Sequence, residues 1–198
     1  MLASLTHQFC QAKIILLYFR EQRVVFLSAK GRQWAQYTYQ FAHELCHLTI
    51  PNKVAANIRW FEEAICDLAS HYFLKMAEEQ WRNNPPYPNW REYSPSFGEY
   101  SKIMMKTATE IPRGVSFSGF INISLSELTQ DPYKREMNTL CAKHLLRAFD
   151  EYPGLWKDVP KLCKIPSELP FHESLHVWKS LSSEKQAIEK VIALLSSD

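Results

Sequence analysis

His43 and His47 are four residues apart, and so are Glu63 and Asp67. On a helix, residues at that spacing share a face. The first pair belongs to Phe41-Ala42-His43-Glu44-Leu45-Cys46-His47, which has the form His-Glu-x-x-His. The second belongs to Trp60-Phe61-Glu62-Glu63-Ala64-Ile65-Cys66-Asp67. If both stretches are helical and pack together, two imidazoles and a carboxylate meet. That demands a fold with two consecutive helices in contact, joined by the short link after Pro51-Asn52.

The chemistry of these residue types points to zinc. Imidazole nitrogens suit zinc, which accepts tetrahedral geometry and in catalytic sites keeps one position for water. His43 and His47 supply two ligands and Glu63 a third. Glu44 sits one step round the helix, within reach of a water on the ion. Asp67 can accept the free N–H of a ligating imidazole, fixing its tautomer. Glu62 is the alternative third ligand; Glu63 is preferred because only it has an aspartate four residues on.

Over residues 23–75 the chain resembles the gluzincin metallopeptidases, the thermolysin-like group, whose pattern is His-Glu-x-x-His on one helix and Glu-x-x-x-Asp on the next. The resemblance implies zinc held by His43, His47 and Glu63, with Glu44 as general base and Asp67 behind a ligand. It implies hydrolysis of peptide bonds in a peptide or protein substrate by a metal-bound water that Glu44 activates. It also implies an edge strand over residues 24–28, against which extended substrate pairs by strand addition. The link between His47 and Glu63 is shorter than thermolysin-type enzymes have, and Glu62 stands where they often carry Asn. In size the chain is closer to small intracellular peptidases that cleave phage repressors.

An enzyme of this type also needs a donor for the developing oxyanion. His144, Tyr93, Tyr100 and His71 are the candidates, with His144 placed first. Cys46 and Cys66 read as buried fillers where the two helices touch. Two other readings stay open: a zinc-binding structural or regulatory module without catalysis, and a metal-free helical interaction protein.

The remaining pattern predicts an α+β, zincin-like fold. A small mixed sheet would pack on the two metal-bearing helices, with a mainly helical C-terminal half. Residues 13–19 and 23–29 are rich in β-branched and aromatic residues and read as a hairpin. Lys30-Gly31-Arg32 is a turn. Helices are predicted from Gln33 to Pro51, over 58–80, 97–108 and 183–195, and from Asp131-Pro132 to about Phe149. The proline-rich stretch from Asn83 to Pro95 reads as a connector, with a substrate-contacting lid as the alternative. Val115, Phe117, Ile121, Ile123 and Leu125 alternate with small polar residues, predicting a strand or extended loop. The 198 residues suit a single domain, with residues 1–80 as the zinc-site core and 81–198 as a loop-rich helical part.

A formal net charge of +2 gives no basis for nucleic acid or an acidic membrane as partner. The run at residues 14–19 is too short to span a bilayer. Five widely spaced cysteines do not make a disulfide framework, so a reducing cytoplasm is the expected setting.

Overall fold

The computed structural model describes residues 25–196. Among them every regular element is helical. The α-helices are α1 (Trp34–Thr49), α2 (Arg59–Asn83), α3 (Ser94–Met105), α4 (Phe117–Gln130), α5 (Arg135–Glu151), α6 (Phe171–Leu181) and α7 (Lys185–Leu195). Short 3-10 turns connect several of them. The α+β expectation is therefore corrected: the described residues contain no strand and no sheet. None of their helices is long and apolar enough to cross a membrane.

The reasons for the correction are local. Residues 13–19 lie outside the described region. Residues 25–29, the described part of the second predicted strand, are irregular. Their backbone donors are met by a side chain instead of a neighbouring strand. The N–H groups of Ser28 and Ala29 donate to Gln40 Oε1 at 2.9 and 3.2 Å, and Gln40 Nε2 donates to Ser28 Oγ at 2.7 Å. A segment held in this way does not offer those donors to a substrate, so the expected pairing edge over 24–28 is not present in its described part.

The second misread strand is α4. Ile121 and Leu128 are fully buried and Ser124 nearly so, a helical spacing, while Ile123 points to solvent. The alternation that suggested a strand also satisfies steps of four through Phe117, Ile121 and Leu125. Ser116 decides between the two periods: its Oγ accepts from Gly119 N–H at 3.0 Å and caps the helix.

Asp131-Pro132 forms a turn, and α5 starts only at Arg135. Pro170 stands just before α6, a helix hidden among the closely spaced prolines. The turn at Gly31 is present, with a positive φ of 61° that glycine tolerates without strain.

Helix α2 is the axis of the fold and packs on α1, α3 and α5. Trp60, Phe61, Ala64, Ile65, Cys66 and Leu68 are fully buried in the main core, which α4 to α7 complete. Phe171 and Trp178 of α6 pack their rings on Trp60 and Phe61. A smaller cluster of Ala35, Tyr39, Leu74, Phe97 and Met104 joins α1, α2 and α3. The proline-rich stretch closes over that end, where Trp90 stacks on Trp81 at 5.6 Å.

Helix α1 lacks a side-chain cap of its own at Gln33. Tyr93 takes over that role from across the fold, accepting the Ala35 N–H at 3.1 Å. Both partners of this bond are fixed by the smaller cluster, so the start of α1 is set by tertiary packing.

Candidate metal centre

The two helices that carry the four-residue spacings run antiparallel. His47 lies opposite Glu62 and Glu63, whereas Tyr39, two turns earlier on α1, lies opposite Asp67 and Ser70. The short link through Pro51 forces this reversal, because the chain must turn back on itself between Thr49 and Arg59. Trp60 and Phe61, buried on the opposite side, fix the rotation of α2 and leave Glu62 and Glu63 facing α1.

His43, His47 and Glu63 converge. Nε2 of His43 is 3.3 Å from Nε2 of His47. Glu63 straddles the pair: Oε2 is 3.4 Å from His43 Nε2, and Oε1 is 3.5 Å from His47 Nε2. One donor atom from each residue can be chosen so that all three lie within 4.8 Å of one another. The three side chains are partly buried, with 15–23% of their surface exposed, so the group is reached from solvent on one side.

These spacings can be tested against candidate ions. Zinc bonds of roughly 2.0–2.1 Å in a regular tetrahedron give donor–donor edges of about 3.3 Å. An octahedral magnesium site with bonds of roughly 2.0–2.1 Å needs edges of about 3.0 Å. Calcium's longer bonds fit the spacing, but calcium takes oxygen ligands. Two imidazoles with one carboxylate at 3.3–3.5 Å therefore suit a transition-metal ion of zinc's size better than magnesium or calcium.

The electrostatics of the metal-free group are those of a proton-bearing cluster. Burial pushes the His47 imidazole down, but hydrogen bonds and charge from Glu62 and Glu63 outweigh it and raise it to about 10. Burial pushes Glu63 up, yet His43 and His47 outweigh it and bring the carboxyl down to about 2. A raised imidazole stabilises the fold fully below its ordinary value of 6.5, and that contribution is lost as pH rises through about 10. A lowered carboxyl stabilises the fold above 4.5, and that contribution is lost as pH falls through about 2. Both act together between 4.5 and 6.5. Metal-free protein should therefore lose stability from this cluster on either side of that window. Urea midpoints measured from pH 3 to pH 10 check this, and a profile unchanged by His47→Ala would contradict it.

Glu44 is buried, at 3% exposure, and its Oε2 has no hydrogen-bond partner. Desolvation raises its pKa, opposed by His43 and His47 and reinforced by Glu63. A carboxylate oxygen buried without a partner, in the field of both imidazoles, is costly to keep unless something polar comes to it.

The structure places Asp67 away from the imidazoles of the triad. Its Oδ1 accepts the Tyr39 phenol, and its Oδ2 lies 3.9 Å from Nε2 of His71. Antiparallel register explains this: one turn forward from Glu63 on α2 meets one turn back from His43 on α1. Burial and the Asp67 charge push the Tyr39 phenol well above its ordinary range, so it stays a donor. Glu62, the alternative ligand of the sequence reading, stands on His47 Nδ1 at 2.9 Å.

Three of the four candidate oxyanion donors are engaged elsewhere, and the fourth, Tyr100, packs on Tyr39. His144 stacks flat on Phe117 with ring centroids 4.0 Å apart. Tyr93 caps α1, and Nδ1 of His71 is 2.8 Å from Ser101 Oγ. The Tyr100 hydroxyl is buried beside Tyr39 without a partner. A pocket of about 260 Å³ lies between α1 and α3, lined among others by Gln33, Tyr93, Glu99 and Tyr100; none of the triad residues lines it. Cys46 and Cys66 are buried between the two helices, and burial with the neighbouring Cys46 keeps the Cys66 thiol protonated.

Sequence reasoning missed Tyr39 and Gln40. The signal for Tyr39 was present: Tyr39, His43 and His47 form one ladder at steps of four, and Glu63, Asp67 and His71 form the ladder that faces it. Compared with family models, curated proteins and solved structures, the chain matches none.

Proposed function

We propose that this protein is a zinc-dependent hydrolase of peptide bonds, with His43, His47 and Glu63 holding the ion and Glu44 acting as general base. The observation that carries the reading is the set of donor spacings, 3.3–3.5 Å among the two imidazoles and Glu63, beside a buried carboxylate oxygen that lacks a partner. When bound, zinc would acidify a water and polarise the amide carbonyl. Glu44 would orient that water through Oε2, take its proton as the carbonyl carbon is attacked, and hand the proton to the leaving amine. Burial raises the pKa of Glu44 above the ordinary carboxylate value, which makes it a better proton acceptor than a solvated glutamate. Burial of Glu44 limits competing bulk water. The free cysteines among the described residues, Cys46, Cys66, Cys141 and Cys163, support a reducing compartment, the cytoplasm, as its setting.

One observation favours a second reading, a zinc-binding structural or regulatory module. The contacts of His144, Tyr93, His71 and Tyr100 are with Phe117, Ala35, Ser101 and Tyr39, none of them a triad residue. Zinc analysis and hydrolysis of an unfolded protein substrate separate the two. The peptidase reading expects one zinc per chain and turnover that a chelator removes and zinc restores. Zinc without turnover establishes the module, and protein without zinc overturns both readings.

A further inference from the structure

Glu62 makes the shortest polar contact around the triad, and the ligand set leaves it without a task. Its Oε1 is 2.9 Å from His47 Nδ1. The other ring nitrogen of His47, Nε2, is the one that faces His43 and Glu63. An ionised carboxylate only accepts hydrogen bonds, and a neutral imidazole carries a single N–H. With Glu62 on Nδ1, the proton of a neutral His47 sits on Nδ1, and the Nε2 lone pair is turned toward the triad.

We infer that Glu62 is the positioning residue for His47. It holds the ring in the tautomer and orientation that zinc binding needs, and it raises the basicity of Nε2. The inference rests on the zinc reading above. It assigns this work to the residue just before the ligand Glu63, because Asp67 is committed to Tyr39. Adjacent residues on a helix diverge by about 100°. Glu63 therefore presents its oxygens to the two Nε2 atoms while Glu62 reaches the far side of the same His47 ring. The two nitrogens of an imidazole point in different directions, so the Glu62 oxygen that serves Nδ1 is not placed to share an ion with Nε2. Both carboxylates are equally shielded, each with 15% of its side chain exposed, so solvent alone does not separate their roles.

Zinc affinity, measured by competition with a chromophoric chelator, tests the inference in wild type, Glu62→Gln, Glu62→Ala and Glu63→Gln. Loss of an outer carboxylate weakens zinc by roughly 10- to 100-fold, so that is the result expected for Glu62→Gln, with Glu62→Ala at least as weak. Glu63→Gln should be weaker than both. Helicity of the metal-free variants, read by circular dichroism, should match wild type. A second readout is the imidazole proton spectrum of zinc-loaded protein. The Nδ1 proton of His47 should be slow to exchange in wild type and fast in Glu62→Ala, a change that a merely structural role would not produce. Zinc binding in wild type with undiminished affinity in both Glu62 variants overturns the positioning role alone. A loss in Glu62→Gln as large as that in Glu63→Gln makes Glu62 a ligand and also overturns it. No zinc in wild type overturns the zinc reading, and this inference with it.

Discussion

Replacing Glu44 with Gln should leave zinc in place and cut turnover by roughly 100- to 10,000-fold, the range expected when a positioned general base is removed. The substitution keeps the size of the side chain and removes its ability to take a proton. Glu44 is not among the three donors that converge, His43, His47 and Glu63, so metal content should match wild type. Stability should move the other way from activity. Burial raises the folded-state pKa of Glu44 above the ordinary 4.5. A raised carboxyl favours the fold below its ordinary pKa and loses that contribution as pH rises through the folded value. At neutral pH the wild type therefore carries the penalty of a buried charge with an unpartnered Oε2, which a neutral amide avoids in part. Glu44→Gln should melt at the same temperature as wild type or higher at pH 7, and lose that advantage near pH 4. Retention of full turnover, measured with a fluorescent unfolded protein substrate, would remove Glu44 from the mechanism. An inactive protein that had also lost zinc would show that the substitution disturbed the site instead of the proton transfer.

This opposition of activity and stability is what a reactive site leads one to expect. It also separates Glu44 from Asp67, the other buried carboxylate on these two helices. Asp67 has the Tyr39 phenol as a donor, so Asp67→Ala orphans a buried partner and should destabilise the fold. Two acids on facing helices, both almost completely buried and each with one unpartnered oxygen, thus differ in sign because Asp67 accepts a buried phenol at its other oxygen.

The helices of the candidate site were legible because their pattern is long and unambiguous. Trp34 to Leu48 and Ile58 to Leu68 repeat apolar residues at steps of three and four, and the chemical residues sit on the same period. Helix α4 was not legible, since Phe117, Ile121, Ile123 and Leu125 satisfy steps of two and four at once; the Ser116 cap resolves it. The irregular course of residues 25–29 depends on Gln40, a contact between residues eleven and twelve positions apart that no local period encodes. The same limit explains the carboxylates. Spacing within α2 places Glu63 and Asp67 on one face, but which of them meets an imidazole depends on the axial register against α1. Glu62 reaches His47 because of that register and of the rotation that Trp60 and Phe61 impose by packing against Phe171 and Trp178.

His47 is where this register has its largest consequence, so His47→Ala should be the most damaging substitution for metal binding. A structural zinc site binds with roughly 10–16 kcal/mol shared among four protein ligands, so one ligand accounts for roughly 2.5–4 kcal/mol, or about 70- to 900-fold in affinity. The loss should exceed that of Glu62→Gln, since the orienting carboxylate acts only through the imidazole that His47→Ala deletes. Thermal shifts read this directly. Zinc at about 100 times its dissociation constant stabilises wild type by about 2.7 kcal/mol, which at this chain length raises Tm by roughly 5–11 °C. At the same zinc concentration the variant should show almost no shift. The metal-free variant should differ from wild type as well. Without the His47 charge, Glu62 and Glu63 face each other's neighbourhood with one cationic partner fewer, and the loss of stability expected as pH rises through about 10 should vanish. A zinc-induced shift of wild-type size in His47→Ala would mean that the ion is held by other side chains, and that the convergence of α1 and α2 at this point serves packing alone.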